Sequence, residues 1–170
     1  MTEIGEKPMS EIIKVGMADM KTASPPDGLI TMGLGSCVAV ALRDPVTKVG
    51  GMVHVMLPDS NAIRGEHANP AKFADTGIAE LISQMEAKGA RRTRLTAKLA
   101  GGATMFTVSS KSDWGLIGKR NVESCRKVLE QFRIPVLAES TGENYGRTVT
   151  FYPETGEYHV KAVGKEPQII

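Results

Sequence analysis

The 170 residues include 21 lysines and arginines against 19 acidic residues, and this net charge of +2 is too small to indicate a nucleic acid or a membrane surface as partner. Hydrophobic residues make up 41% of the chain and charged residues 24%, which excludes disordered and fibrous classes. The two cysteines have neither disulfide nor metal spacing, so we expect reduced thiols in the cytoplasm and no metal. Gly33-x-Gly35 lacks the third glycine of a dinucleotide fingerprint and the sequence has no P-loop, so we expect no cofactor.

The N-terminal part of the chain is predicted to contain short strands. We expect residues 1–10 to form a mobile tail without a secretory signal, and residues 11–170 to form a single domain. A weak strand is predicted over 12–18, and a short strand over 29–32. The segment Gly33-Leu34-Gly35-Ser36-Cys37 then places a thiol directly after a glycine turn.

Two further strands, over 38–43 and 48–57, are predicted to form a hairpin. The tetrapeptide Asp44-Pro45-Val46-Thr47 between them is typical of a type I turn. If the hairpin is centred on the middle of this tetrapeptide, Cys37 faces His54 across the ladder. Directly opposed side chains have Cβ atoms about 5 Å apart, so the thiol and the imidazole are predicted to touch or nearly touch.

Each strand of this hairpin is predicted to bury one apolar face. The side chains expected on that face are those of Val38, Val40, Leu42, Val53, Val55 and Leu57. Cys37 and His54 are then expected on the other face, beside small or flexible side chains that leave room for a substrate. A bulge at Gly50-Gly51 would shift the pairing by one residue.

A thiol beside an imidazole suggests a nucleophile with its base. A neighbouring imidazolium would lower the thiol pKa, and Thr31 is the nearest polar candidate to orient the ring. Backbone amides near Gly35 and Ser36 could hold a tetrahedral oxyanion. The residues alone leave open that Cys37 is merely a small buried hydrophobe, which is our interpretation of Cys125.

The rest of the chain is predicted to alternate helices with strands. Asn69-Pro70 favours a helix start and Gly89 its end, and a second helix is predicted over 120–132. The remaining predicted strands cover residues 93–100, 134–138, 147–152 and 157–163. Together these elements predict an α+β fold, a sandwich of hairpin-rich mixed sheets flanked by about two main helices.

With these motifs in view, the sequence resembles the chemoreceptor glutamine deamidases, the CheD family of bacterial and archaeal chemotaxis. The stretches that carry the resemblance are TMGLGSCVAV at 31–40, GGMVHVMLP at 50–58, GGATMF at 101–106, IGKRN at 117–121 and GR at 146–147. The segment 140–147 departs from the family pattern, which usually has paired glycines ahead of the Gly-Arg pair.

The resemblance implies a cysteine hydrolase that converts glutamine side chains of chemoreceptor cytoplasmic helices to glutamate, with reported hydrolysis of receptor glutamyl methyl esters. It places the catalytic cysteine, histidine and threonine at Cys37, His54 and Thr31. It also implies a fold shared with deamidating bacterial toxins and a response-regulator phosphatase as a partner. Two alternatives stay open: another cysteine amidase or thioesterase, and an interaction module that mainly regulates the phosphatase.

Overall fold

The computed structural model describes residues 10–62, 69–105 and 116–170, which contain two five-stranded β-sheets and two α-helices. The helices are α1 (Ala74–Ala87) and α2 (Ile117–Gln131). The strands are β1 Ile12–Lys14, β2 Met20–Ala23, β3 Gly28–Leu34, β4 Val38–Arg43, β5 Gly50–Val55, β6 Thr96–Gly101, β7 Val136–Thr141, β8 Arg147–Tyr152, β9 Glu157–Lys161 and β10 Gln168–Ile169. The predicted α+β class with mixed sheets and two main helices is confirmed.

Both sheets mix parallel and antiparallel neighbours. The first sheet has the strand order β1-β3-β8-β9-β10, and the second has the order β2-β5-β4-β6-β7. The β1–β3 and β6–β7 pairs are parallel, whereas the hairpins β4–β5 and β8–β9 are antiparallel. Because β4 is the central strand of the second sheet, the residues at its start have backbone on both sides.

The second sheet is the middle layer of three. One of its faces packs against α1 and α2 through apolar side chains that include Val38, Val40 and Leu42. Its other face packs against the first sheet around Ala39 and Ala41. The strand period of two therefore buries β4 on both sides, and the predicted division of its side chains between two faces is confirmed.

The register of the β4–β5 hairpin differs from the predicted one. His54 faces Ala39 instead of Cys37, because each residue of β4 pairs two positions further along β5 than we expected. The cause is a longer loop, in which Lys48 takes a φ of 60° and donates its N–H to Asp44 O at 2.8 Å. The glycine pair in β5 causes no bulge. A shift of two residues preserves strand parity, so the faces of β4 and β5 remain as predicted. The strand expected over 48–57 is shorter, because β5 ends at Val55, and Leu57, expected on its apolar face, instead forms an isolated bridge with Phe73.

Two predicted boundaries in the first half of the chain are wrong, namely the end of the first strand and the start of the first helix. The strand expected over 12–18 ends at Lys14, and a turn in which Ala18 takes a φ of 52° separates it from β2, which the pattern did not predict. The helix expected from Asn69-Pro70 begins only at Ala74, because Asn69 caps a single 3-10 turn over Pro70–Lys72. Gly89, with a φ of 102°, follows the end of α1 as predicted.

Other boundaries moved by a few residues. β6 begins later than predicted because Arg92–Arg94 form a 3-10 turn, and β7 continues to Thr141. α2 begins at Ile117, one turn earlier than expected, and β10 was not predicted. The expected N-terminal tail lies almost wholly outside the described residues.

Candidate active site

A buried hydrogen bond joins the two sheets at His54. His54 belongs to β5 of the second sheet and Thr31 to β3 of the first, and neither side chain is exposed. Thr31 Oγ1 lies 2.7 Å from His54 Nδ1. The same hydroxyl donates to the carbonyl oxygen of Val15 at 2.7 Å. The structure therefore brings together the predicted histidine and its predicted orienting residue.

The contact with Val15 determines the tautomer of His54. A hydroxyl has one proton, and because Thr31 donates it to Val15 O, Oγ1 accepts the N–H of His54 Nδ1. The lone pair of the neutral imidazole is then on Nε2. This atom is buried and has no hydrogen-bond partner within residues 10–62, 69–105 and 116–170. His54 thus offers an unoccupied basic nitrogen.

Burial also keeps the imidazole neutral. Desolvation lowers the pKa of His54 below its ordinary value, because the charged ring would lose its water. Thr31 is an uncharged partner, so it orients the ring without adding a negative charge that would oppose this effect. At neutral pH, His54 is therefore a base ready to accept a proton.

Cys37 lies directly before β4 and is 8% exposed. Burial raises the pKa of its thiol, and its own backbone N–H, which lies against the sulfur, opposes part of that rise. The predicted lowering of this pKa by an imidazolium is wrong for the resting protein, in which burial favours a neutral thiol and a neutral imidazole.

The structure shows no hydrogen bond between the Cys37 sulfur and His54 Nε2. The observed register explains this, since Cys37 is diagonal to His54 and diagonal neighbours across a ladder are about 7 Å apart. Hydrogen bonds of catalytic groups are often long or absent before substrate binds. Both side chains lie on the face between the sheets, so only a small movement is needed to bring the sulfur and Nε2 into contact.

Glycines shape the loop that leads to Cys37. The pairing of β3 with β8 shifts between Thr31 and Leu34, where Gly33 takes a φ of 73°. Gly35 donates its N–H to Gly33 O at 3.1 Å. The Gly35 amide, predicted to hold an oxyanion, is therefore engaged in a tight turn. No such backbone bond from the Ser36 or Cys37 amide is seen within the described part of the chain.

The end of β6 holds the carbonyl of Cys37. Gly102 donates its N–H to Cys37 O at 2.8 Å. Gly101 takes a φ of 108°, and a Cβ at this position would collide with Cys37 O. Only glycine at position 101 allows the two backbones to approach this closely, whereas at Gly102, with a φ of 66°, a Cβ would collide with Val122 of α2.

Helix α2 holds the carbonyl on the other side of Cys37. The Nδ2 group of Asn121 donates to Ser36 O at 2.9 Å and to Met56 O at 3.0 Å, and the side chain is fully buried. The sequence reasoning gave Asn121 no role. One signal was available: Asn121 and Cys125 are four residues apart on the buried face of an amphipathic helix, where an amide is unusual.

The second cysteine lies in a different environment. Cys125 is fully buried in the apolar cluster between α2 and the second sheet. Burial raises the pKa of its thiol, and the negative charge of Glu139 raises it further. A thiol with this environment is a poor nucleophile, in agreement with the predicted core role.

The surface around the glycine loop is open and apolar. Met32 and Met105 are 47% and 45% exposed. Beside Gly33, a groove of about 580 Å³ is lined by residues that include Tyr145, Lys161 and Val163. Flexible methionine side chains adapt to varied apolar partners, so this rim is suited to a macromolecular substrate.

The described residues hold no group of three histidine, cysteine, aspartate or glutamate side chains placed to bind a metal ion. In the same part of the chain, neither α-helix has the length and apolar character required to cross a membrane.

The sequence is similar to curated bacterial proteins over almost its whole length. It is 56% identical to the probable chemoreceptor glutamine deamidase CheD of Lachnoclostridium phytofermentans, covering 92% of this chain and 97% of the relative. It is 51% identical to the protein of the same description from Syntrophomonas wolfei, covering 95% and 100%. The chemoreceptor glutamine deamidase CheD of Halalkalibacterium halodurans is 49% identical, with coverage of 91% and 96%.

A solved structure and a family model also match. The crystal structure of the Bacillus licheniformis hypothetical protein YfiH is similar with a TM-score of 0.46 and 17% identity, covering 76% of this chain and 58% of that one. Residues 56–162 match the model of the family described as CheD chemotactic sensory transduction. Since that match spans more than half of the chain, and the relatives share about half of their residues with it, the chain belongs to the CheD family.

Proposed function

We propose that this protein deamidates glutamine side chains on the cytoplasmic helices of chemoreceptors, giving glutamate and ammonia. Relatives that carry the name chemoreceptor glutamine deamidase match it over nearly their full length. The observation that carries the chemistry is the Thr31–His54 hydrogen bond, because it leaves His54 Nε2 free on the face that Cys37 shares.

In the proposed reaction, Cys37 is the nucleophile. As the sulfur attacks the carboxamide carbon, His54 Nε2 accepts the thiol proton, and the carbonyl oxygen becomes an oxyanion held by backbone N–H groups at Ser36 and Cys37. The His54 imidazolium then donates its proton to the departing nitrogen. Ammonia leaves and a glutamyl thioester remains on Cys37.

Water completes the cycle. With Nε2 unprotonated again, His54 removes a proton from a water molecule that attacks the thioester carbon. The C–S bond breaks, the sulfur regains a proton from His54, and glutamate is released. Throughout both steps Thr31 Oγ1 accepts a hydrogen bond from Nδ1–H and keeps the ring in one orientation. The same groups would hydrolyse a glutamyl methyl ester, with methanol as the leaving group.

The neutral resting pair fits a buried centre. Since burial raises the pKa of Cys37 and lowers that of His54, a thiolate–imidazolium pair would be costly before substrate arrives. Proton transfer is then coupled to attack. A neutral thiol also resists alkylation and oxidation, which protects the nucleophile between encounters with receptors.

The proposed setting is a single cytoplasmic domain spanning 11–170, on a scaffold related to deamidating bacterial toxins. A receptor helix is the substrate, and a response-regulator phosphatase is a partner. The exposed methionines beside the glycine loop provide an apolar surface on which a helix can present its glutamine.

The test is incubation with a chemoreceptor cytoplasmic fragment, followed by mass spectrometry for conversion of glutamine to glutamate. We expect conversion by the wild type and by Cys125→Ala, and none by Cys37→Ala. Failure of the wild type on the fragment, with turnover of a small amide, would indicate a different cysteine hydrolase. Receptor conversion by Cys37→Ala would refute the nucleophile, and unchanged phosphatase regulation in that variant would favour an interaction module.

A further inference from the structure

Asn121 places a polar side chain on the otherwise apolar inner face of α2. It has no exposed surface, and both of its described hydrogen bonds go to backbone carbonyls far away in the sequence, those of Ser36 and Met56. These carbonyls flank the two residues of the proposed reaction. Ser36 immediately precedes Cys37, and Met56 follows His54 by two positions.

The bond to Ser36 O fixes the direction of the next amide. In a trans peptide the C=O and the N–H lie in one plane and point in opposite directions. Asn121 holds Ser36 O from the helix side of the second sheet, so the N–H of Cys37 points away from the helix. The sulfur of Cys37 packs in the cluster between the two sheets, so this amide and the nucleophile face the same side of the second sheet.

The arrangement is costly as a packing solution alone. Asn121 Oδ1 is buried and has no hydrogen-bond partner within the described residues. An unsatisfied buried carbonyl destabilises the native state, whereas an apolar side chain would match neighbours such as Cys125 and Val122 on the same helix. The helix therefore carries an amide at a position where packing favours an apolar residue, and its two donors serve the site.

We propose that Asn121 is a positioning residue: by holding Ser36 O it aims the Cys37 backbone N–H at the point where the substrate oxyanion forms. This inference rests on the proposed function for the identity of the substrate. By holding Met56 O as well, the same amide fixes the end of the histidine strand relative to the nucleophile loop. The effect passes through the backbone, and the Asn121 side chain need not touch the substrate.

The test compares two reactions of the Cys37 thiol that differ in their need for an oxyanion hole. Acylation by p-nitrophenyl acetate passes through a tetrahedral oxyanion, whereas alkylation by iodoacetamide displaces iodide at a saturated carbon and does not. Mass spectrometry in a Cys125→Ala background assigns both products to Cys37. For Asn121→Ala we expect acylation to slow by about 10- to 100-fold and alkylation to change by less than about twofold.

Two further variants separate positioning from a general loosening of the fold. Ser124→Ala is the matched control, because Ser124 lies one turn further along α2 and donates to Pro58 O at 2.6 Å without touching the Cys37 peptide. It should leave both rates unchanged. Asn121→Ser is smaller but keeps a donor, and we expect it to slow acylation less than Asn121→Ala does. It also serves if the alanine variant does not fold.

Equal slowing of acylation and alkylation, or an unchanged acylation rate, in a folded Asn121 variant would overturn the proposal. A comparable loss of acylation in Ser124→Ala would also overturn it. These results do not depend on the receptor. If the wild type fails to deamidate a receptor fragment while Asn121→Ala still slows acylation of Cys37 and not its alkylation, the proposed substrate is refuted and the positioning role stands.

Discussion

Buried polar groups are fully hydrogen-bonded at one end of the β4–β5 hairpin and lack described partners at the other. At the turn, Asp44 is fully buried and its carboxylate accepts hydrogen bonds from Arg94, from Arg91 N at 2.9 Å and from Val46 N at 2.9 Å. At the other end, His54 Nε2 and Asn121 Oδ1 are buried without described partners.

On the proposed mechanism, this difference separates the polar groups that serve the fold from those that serve the reaction. A fully satisfied carboxylate stabilises the native state and has no acceptor capacity to spare for a substrate. An unsatisfied nitrogen destabilises the native state slightly, and it is available for proton transfer. If the comparison is correct, changes at the turn affect stability and changes at the open end affect rate.

The largest effect is expected from His54→Gln. Without Nε2 as base, kcat for receptor deamidation should fall by about 10³-fold. The free energy of unfolding should fall by only about 1 kcal/mol, because the unpartnered Nε2 adds no hydrogen bond to lose and the Nδ1 bond to Thr31 is the one that the substitution removes. Ammonia release and a melting curve measure the two quantities. His159→Gln is the control, since His159 is half-buried in β9 beside Glu157. A retained kcat in His54→Gln would contradict the proposed base.

Next in size is the effect of Asp44→Asn on stability. Burial alone would raise the pKa of Asp44, but hydrogen bonds from Arg94 and from the backbone N–H groups of Arg91 and Val46 hold it well below its ordinary value. Replacing the carboxylate by the uncharged amide should lower the free energy of unfolding by about 2–3 kcal/mol. The loss is limited to this range because Arg94, left without its carboxylate partner, is partly solvated. Chemical denaturation measures this change.

The sign of the pH dependence at Asp44 follows from its lowered pKa. The unfolded carboxyl binds its proton at a higher pH than the folded one, so the stabilisation is complete above the unfolded value and is lost as pH falls below it. Asp44→Asn should remove this part of the acid sensitivity. Its kcat below the melting temperature should match the wild type. Asp59→Asn, at an exposed position, should change neither quantity.

The smallest effect is expected from Thr31→Val, which preserves shape but removes the acceptor of the Nδ1–H hydrogen bond. The ring can then take the other tautomer, so kcat should fall by about tenfold with little change in KM. Steady-state kinetics on a receptor fragment measures both. Thr150→Val on β8 of the same sheet is the matched control. A larger rise in KM than fall in kcat would indicate a role in binding.

The sequence predicted the faces of the hairpin better than its register. The alternation of side chains along β4 and β5 indicates which face of the sheet each residue lies on, and a register shift of two residues leaves these faces unchanged. The register depends on the loop, where Lys48 takes a left-handed conformation that glycine or asparagine would have signalled more clearly. The break between β1 and β2 was missed for the same reason, because Ala18 takes a left-handed conformation that alanine does not indicate.

The site was predicted in part for similar physical reasons. Cys37 and His54 lie close together in the chain, so hairpin geometry alone suggested their neighbourhood. Thr31 was within the same segment. Asn121 acts on backbone carbonyls 85 and 65 residues away, and no periodic pattern reports a contact between a side chain and a distant peptide. Only the assembled layers show it.

The hydrogen bond between Thr31 and His54 spans the seam between the two sheets, with one partner anchored in each. The orientation of His54, the proposed base, therefore depends on how the two sheets pack against each other. A substitution that shifts one sheet relative to the other by a fraction of an ångström, even far from the site, would therefore change the length of the Thr31–His54 hydrogen bond and the orientation of the imidazole. We therefore expect kcat to respond to substitutions that alter the packing between the two sheets, even where they leave the free energy of unfolding almost unchanged.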